Sequence, residues 1–370
     1  MSAAFQNFYA GRRALVTGHT GFKGAWLSLW LRQLGARVTG FGLAAPTQPS
    51  LHELTGAFSC ADEITGDIRD ARAVEAALQT AGPEIIFHLA AQPLVRQSYA
   101  DPAATFETNA LGTVRLLEAV RRLKLNCVVL VVTSDKCYEN RGWEHGYREN
   151  DPLGGHDVYS MSKAATELIV QSWRKSFFQT DANLASLASA RAGNVIGGGD
   201  YASDRIVPDA VRAILAGRSL GVRNPRATRP WQHVLDCLSG YLWLGARLAR
   251  EGNGSPLASA FNFGPGARSN QSVAALVEEF LRHWPGEWRD ESDPNAPHEA
   301  SLLHLATDKA AQLLEWFPTW DFAETVQATA GWYRARHDGG KADMLKFSRA
   351  QLESFTARAA AQKIAWAVSA

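Results

Sequence analysis

The chain has 370 residues, 46% of them hydrophobic and 20% charged, with a formal net charge of +1. That length suffices for one large or two modest domains, and the near-neutral balance gives no general case for nucleic acid or an anionic membrane surface as partner. Cys60, Cys127, Cys137 and Cys237 are scattered without a CxxC pair, which reads as reduced thiols in a cytoplasmic protein with no metal site; the opening residues, MSAAFQNFYAGRR, lack the apolar core of a signal peptide, and no uncharged run approaches a membrane span.

The first predicted strand, 12–17, runs into Gly18-His19-Thr20-Gly21-Phe22-Lys23-Gly24, and helix formers follow over 24–34. Strand, glycine turn and helix in this order set bare backbone N–H groups and a helix N-terminus against a pyrophosphate. The spacing is GxxGxxG rather than GxGxxG, so a tight structural turn is the alternative reading of the pattern alone. Gly18, Thr20, Gly21, Phe22, Lys23 and Gly24 are the first candidate cofactor contacts. A second strand is predicted at 37–42. The acid expected about 20 residues beyond the glycines, to hold a ribose hydroxyl, is missing: residues 39–50 contain no charged side chain. The same stretch offers no Arg or Lys for a 2′-phosphate, although Lys23 can reach a phosphate from the loop itself.

Asp67 and Ile68 follow Gly66 and precede a helix at 70–81; an Asp placed there can accept the amino group of an adenine. The strand predicted at 84–90 leads into Leu89, Ala90, Ala91 and Gln92, small residues that let a ring or ribose approach the backbone, or that simply pack closely. A helix is predicted at 103–123 and a strand at 127–134. The latter ends in Thr133-Ser134-Asp135-Lys136, polar groups at a strand edge that core packing explains poorly and a solvated loop explains well. The next helix, 158–178, opens with Tyr159 and Lys163. Residues four apart share a helix face, and an ammonium beside a phenol favours the phenolate, lowering its pKa from about 10. Such a base can take a proton from a sugar hydroxyl as hydride leaves the same carbon. Alone, YxxxK mostly marks surface residues; behind a glycine-loop strand it points to chemistry.

A further strand is predicted over 184–190. Asn194-Val195-Ile196-Gly197-Gly198-Gly199-Asp200 follows as a turn where the chain can leave the sheet, then a helix over 205–218. A late strand returns near Phe261, and helices dominate from 270 onward, interrupted by a polar loop at 290–297. The alternation predicts an α/β fold: a Rossmann-type doubly wound parallel sheet with a smaller, mostly helical C-terminal substrate domain. The expected division is 1–192 plus about 232–265 for the cofactor, and about 193–231 plus 266–370 for the substrate, with a cleft at the C-terminal ends of the strands.

TGHTGFKG, SDKCYEN, YSMSK, RAGNVIGGGD and RPWQHV together resemble the extended short-chain dehydrogenases/reductases over about residues 9 to 345, and within them the CDP-glucose 4,6-dehydratase branch. The resemblance implies NAD as cofactor, with Thr108, Thr133, Tyr159 and Lys163 joining the contacts above. It implies that Tyr159 and Lys163 act at the sugar C4, with Ser134 assisting and Thr133 next in line. Asp135 matches the acid that protonates the departing C6 hydroxyl. Related dTDP-glucose dehydratases carry a Glu base at the next position; here it is Lys136, a base only when neutral, so the C5 base stays open. The implied substrate is CDP-glucose and the product its 4-keto-6-deoxy derivative, a precursor of deoxyhexoses in lipopolysaccharide and O-antigen. Substrate contacts are expected from Arg96, Asn194, Arg205, Arg223, Arg229 and His298. Arg205 reads alternatively as one half of an exposed ion pair with Asp204. Trp231 either stacks on a ring or fills the seam between domains, and His233 is an oriented structural imidazole or an acid. Family members form homodimers or homotetramers through the helices at 103–123 and 158–178. A sugar-nucleotide 4-epimerase shares the Tyr and Lys but has no need of Asp135 and Lys136; a non-catalytic nucleotide sensor commonly loses the Tyr or the Lys, and both are present.

Overall fold

The computed structural model describes residues 4–56, 62–292, 303–338 and 342–368. Its centre is a seven-stranded parallel sheet built from β1 (Arg13–Thr17), β2 (Arg37–Gly42), β3 (Glu63–Thr65), β4 (Ile85–His88), β5 (Val128–Val132), β6 (Ser186–Arg191) and β11 (Ala260–Asn262). The strand order is β11-β6-β5-β4-β1-β2-β3. From β1 the chain builds outward through β2 and β3, then returns to start again on the other side at β4. This reversal leaves a crevice at the C-terminal ends of β1 and β4, the usual ligand position in a doubly wound sheet.

The sheet is covered on both faces, so its inner strands read as unbroken apolar runs rather than alternating ones. In β5 the period of two still decides the destination. Val128, Leu130 and Val132 join the core with α1 (Phe22–Gln33) and α9 (Val234–Glu251), while Val129 and Val131 join the core beneath α3 (Ala71–Ala81), α6 (Gly112–Arg122) and α7 (Val158–Ser176). α1 is buried continuously from Gly24 to Leu31, because helices from the end of the chain cover its outer face. Trp26 donates its indole N–H to the Gly198 carbonyl at 2.9 Å. Trp30 meets Phe5, Phe355 and Trp366 edge-on, with ring centroids 5.6–5.8 Å apart. Phe5 stacks on Trp366 at 5.0 Å and donates its backbone N–H to that residue's carbonyl at 2.6 Å, joining residues near both ends of the chain.

The longer elements fall within a few residues of the pattern. The helix expected at 103–123 is instead α5 (Pro102–Phe106), a π-helical turn over Glu107–Leu111, and α6. Asp101 caps it by accepting the Ala104 N–H at 3.0 Å, and Pro102 occupies the first helical position, where its missing N–H costs nothing. Three further helices, α2 (Leu51–Thr55), α4 (Val95–Ala100) and α8 (Ile206–Leu215), flank the crevice. The second layer over the crevice contains short strands without readable periodicity. β7 (Val195–Ile196) pairs parallel with β10 (Gln232–His233), β8 (Leu220–Val222) parallel with β13 (Trp288–Asp290), and β9 (Thr228–Pro230) antiparallel with β12 (Asn270–Ser272). Helices α10 (Val273–His283), α11 (Asp308–Leu314), α12 (Phe322–His337) and α13 (Met344–Ala361) complete the C-terminal part. Among the described residues no helix is long and apolar enough to cross a membrane, and Cys127, Cys137 and Cys237 are buried free thiols; Cys60 lies outside the described residues.

Candidate active site

A cavity of about 930 Å³ follows the crevice from the glycine loop, past the ends of β2, β4 and β5, to β8 and β9. Its cofactor end is shaped by absent side chains. Gly18 has φ +72°, and a Cβ there would lie 2.8 Å from the Ala90 backbone; a Cβ on Gly24 would lie 2.1 Å from the Gly18 carbonyl oxygen. Gly21 precedes α1 without any side-chain cap, and the first turn of the helix carries no acid. Uncapped N–H groups at the positive end of a twelve-residue helix fit an anionic pyrophosphate. Thr20 ties the loop to the residue just past β2 by donating its hydroxyl to the Leu43 carbonyl at 3.0 Å. Gly18, Thr20, Gly21, Phe22, Lys23, Gly24, Asp67, Ile68, Leu89, Ala90, Ala91 and Thr108 all line this cavity, whose extent fits a dinucleotide. Asp67 also accepts from the Arg69 guanidinium at 2.7 Å; these side-chain hydrogen bonds outweigh burial and hold its carboxyl below the usual range.

Gln92 is the described candidate that the cavity wall lacks. Its amide donates to the Thr105 hydroxyl at 3.0 Å, and its backbone exchanges hydrogen bonds with the Asn109 side chain at 2.8 and 3.1 Å. These partners draw it toward α5 and the π turn and make it a brace. His88, two residues before Ala90, is likewise structural. The Thr113 hydroxyl donates to the Asn109 carbonyl at 2.7 Å, so it must accept from His88 Nε2–H at 3.1 Å, which leaves Nδ1 to accept from Thr17 at 2.7 Å. Burial, assisted by the Lys163 charge, lowers the His88 pKa to about 3.

The reactive groups gather at the end of β5. Ser134 donates to Asp135 Oδ1 at 2.9 Å, and its hydroxyl favours the ionised form of the Tyr159 phenol. Asp135 is fully buried. Asn194 donates its side-chain N–H to Asp135 Oδ2 at 3.1 Å, and Lys136 Nζ lies 3.6 Å from Oδ1. A Cβ on Gly193 would sit 1.9 Å from Oδ2, so glycine is what admits the carboxylate. Tyr159, Lys163, Ser134, Asp135 and Lys136 open onto the same cavity. The expectation that Lys163 lowers the Tyr159 pKa is corrected: burial pushes the phenol up to about 12, with Ser134 and Arg205 working against the rise and Asp135 adding to it. Lys163 itself is lowered to about 8, first by burial and then by the Lys23 charge, with Glu167 opposing. Burial disfavours the charged form of each group, which raises a phenol and lowers an ammonium.

The sequence reading missed what holds this edge in place. Glu167, one turn beyond Lys163 on α7, is buried and ties together Thr133 just past β5 and two residues of β6. Thr133 donates to its Oε1 at 2.5 Å, while Ser189 and Arg191 donate to Oε2, each at 2.8 Å. Thr133 therefore lines the cavity with its hydroxyl committed elsewhere. Burial pushes the Glu167 carboxyl up, but the Arg191 charge and the hydrogen bonds more than offset it and leave it below the usual range. Arg191 continues to the Tyr138 hydroxyl at 2.7 Å, which donates to Asn262 on β11 at 2.7 Å. A helical acid four residues past the YxxxK lysine, with an Arg ending the next strand, was the available signal. His19, His52 and Glu63 were also not foreseen as a group: their ligand atoms lie within 4.8 Å of one another. Glu63 Oε1 is 2.9 Å from His52 and 3.4 Å from His19, and Gly40 leaves room for the His19 ring.

On the substrate side, Arg96, Asn194, Arg205, Arg223 and Arg229 line the cavity. Arg229 donates to the Thr228 carbonyl at 2.8 Å. Arg205 pairs with Asp200 at 3.2 Å, rather than with the neighbouring Asp204. Trp231 is buried and donates its indole N–H to the Gln271 carbonyl at 3.0 Å, filling the seam between β9 and β12 while touching the cavity. His233 caps α9, with Nδ1 accepting from the Leu235 N–H at 3.2 Å, and burial lowers its pKa to about 3; it is the structural imidazole of the two readings. His298 lies outside the described residues.

A Rossmann-type sheet with a Tyr-x-x-x-Lys helix facing the end of β5 is the scaffold of a short-chain dehydrogenase/reductase. The family model described as GDP-mannose 4,6 dehydratase matches residues 15–255. A CDP-glucose 4,6-dehydratase of Salmonella typhimurium is 44% identical over 355 residues, which cover 95% of this chain and 98% of that protein. Among solved structures, the dTDP-glucose 4,6-dehydratase of Bacillus anthracis in complex with NAD superposes with a TM-score of 0.72 at 21% identity, covering 88% of this chain and 97% of that one. The dTDP-glucose 4,6-dehydratase of Streptomyces venezuelae with NAD bound gives 0.72 at 24%, covering 89% and 99%. The chain belongs to the family that the GDP-mannose 4,6 dehydratase model describes.

Proposed function

We propose that this protein is an NAD-dependent nucleotide-sugar 4,6-dehydratase that converts CDP-glucose to CDP-4-keto-6-deoxyglucose and water. The observation that carries the reading is that Tyr159, Lys163, Ser134 and Asp135 open onto one cavity, with the Ser134 hydroxyl donating to the Asp135 carboxyl group at 2.9 Å. It is supported by 44% identity, nearly end to end, with a CDP-glucose 4,6-dehydratase. Bound NAD would supply the hydride acceptor for C4 and the donor for C6, with no net change of the cofactor over a turnover. The glycine loop and the N-terminus of α1 would hold its pyrophosphate, and Asp67 would accept from the adenine.

Tyr159 removes the C4-hydroxyl proton, assisted by Ser134. The C4 ketone that results makes the C5 proton acidic. Asp135 in its protonated form then gives that proton to the C6 hydroxyl, which leaves as water. Lys136 stands beside Asp135 and in its neutral form can receive the C5 proton, which goes back to C5 as hydride reaches C6. A 4-epimerase needs the phenol and the lysine but has no use for a carboxyl group beyond the serine. The substrate-binding part comprises 193–231 and 266–370, and Arg229, Arg223, Arg205, Arg96 and Asn194 face the diphosphate. Copies pair through the helices at 103–123 and 158–178, consistent with exposed Leu111, Met161 and Leu168 on those helices and Tyr99 beside them. The product suits deoxyhexose synthesis for a bacterial surface polysaccharide, made in the cytoplasm.

The test is incubation of the purified protein with CDP-glucose and NAD, followed by assay for a 4-keto-6-deoxy product; formation from a different sugar nucleotide only would overturn the substrate. Asp135→Asn is expected to lower overall turnover by about 10²- to 10³-fold while C4 oxidation persists. Borodeuteride trapping should then label C4 of a hexose that keeps its C6 oxygen. Unchanged turnover would remove Asp135 from the acid role.

A pH dependence follows from Lys163. Its pKa is depressed to about 8, so the folded protein carries the ammonium below that pH and the neutral amine above it. With the ammonium as the form that serves the reaction, kcat/KM should fall about tenfold per pH unit above 8. Lys163→Arg should be slower yet lack this limb, because a guanidinium stays charged. Rate profiles between pH 6 and 10 decide it.

A further inference from the structure

The arginines assigned to the substrate's phosphates include three that already have acidic partners, all from the loop between β7 and α8. Arg205 pairs with Asp200 at 3.2 Å. Asp204 Oδ1 takes Arg96 Nη1 and Arg223 Nη1, each at 3.3 Å. These two arginines come from different walls of the cavity, Arg96 from α4 and Arg223 from just after β8, and all three residues line it.

The two acids are held very differently. The Asp200 side chain is 8% exposed, its Oδ1 also accepts the Ala202 N–H at 3.0 Å, and its carbonyl accepts the Tyr333 hydroxyl. The Asp204 side chain is 40% exposed and sits at φ +60° on the loop, in the left-handed region that Asp and Asn tolerate better than most residues.

We propose that Asp204 is a specificity-determining residue, an internal carboxylate that occupies the place between Arg96 and Arg223 which the nucleoside diphosphate takes on binding. The proposal rests on the reading of those arginines as diphosphate ligands. Without a counter-charge, two guanidiniums facing one another repel and splay the mouth of the cavity. Asp204 holds them at a separation that one anionic group can bridge. Exposed ion pairs are individually weak, so a diphosphate, with more charge and more acceptor oxygens than a carboxylate, displaces it. A ligand without phosphate gains nothing from the exchange. The acid therefore lowers affinity for every anion, favours those with the highest charge, and re-forms its pairs as product departs.

The experiment is calorimetric titration of the full-length protein and of Asp204→Asn with CDP, CDP-glucose and cytidine. Asparagine keeps the left-handed backbone and removes only the charge. CDP and CDP-glucose should bind about three- to tenfold tighter to the variant, with slower CDP dissociation. Cytidine should bind both proteins equally, and the difference for CDP should shrink as salt rises. Unchanged or weaker CDP binding by the variant, or equal tightening toward cytidine, overturns the proposal. A wild-type protein that binds dTDP or GDP in place of CDP overturns the substrate reading instead, and the same comparison made with that diphosphate then decides Asp204. A protein that binds no nucleoside diphosphate overturns both.

Discussion

Replacing Tyr159 with phenylalanine is expected to cut dehydration of CDP-glucose by about 10³- to 10⁴-fold, with the loss falling on C4 oxidation itself. The phenol stands at the head of α7 and opens onto the same cavity as Ser134. Its burial raises the pKa to about 12 in the ligand-free protein, so its ionised form depends on charges around it. An oxidised nicotinamide bears a positive charge, and such a neighbour favours the phenolate. The variant keeps the ring and its packing but has no oxygen to accept the C4 proton. Borodeuteride trapping under single-turnover conditions should recover no 4-keto hexose, in contrast to Asp135→Asn. Recovery of the ketone at the wild-type rate would transfer the base role elsewhere. Ser134→Ala should fall between the two.

The second large effect concerns stability. Glu167→Ala should destabilise the fold by about 3–5 kcal/mol, the range for breaking a buried ion pair by removing one partner. Arg191 would be left with a buried charge, and Thr133 and Ser189 would each lose an acceptor. Denaturant unfolding of the variant gives the value directly. Glu167→Gln retains an acceptor for Arg191 and should lose less. A change below about 1 kcal/mol in the Ala variant would mean that solvent reaches the pair, contrary to side-chain exposures of 4% for Arg191 and 2% for Glu167.

These two residues also show what the sequence can and cannot disclose. Tyr159 was legible because its chemistry depends on a local spacing, four residues on one helix, behind a glycine turn whose geometry is equally local. Ser134 and Asp135 were legible as polar groups at the edge of an apolar strand. Glu167 was not, because its significance depends on Arg191 and Thr133 arriving from two other strands. Gln92 shows the converse: its position after β4 suggested the cavity, but side chains from 13 and 17 residues further on draw it away. The sign of the Tyr159 shift failed for the same reason, since a motif names a neighbour but not how much water is excluded. The parallel sheet was readable from runs such as Val128–Val132; the two- and three-residue strands over the crevice carry too few side chains for any period to register.

The aromatic knot around Trp30 has a bearing on how a cofactor is received. It lies near the far end of α1, while the uncapped N-terminus of the same helix faces the cavity. Trp26 bolts the middle of the helix to Gly198. A rod fixed at its tail and waist cannot slide or tilt at its tip, so the phosphate-facing amides stand ready before any ligand arrives and none of the association energy goes into ordering them. Loosening the knot at Phe355 or Trp366, neither of which lines the cavity, should therefore be felt at the pyrophosphate.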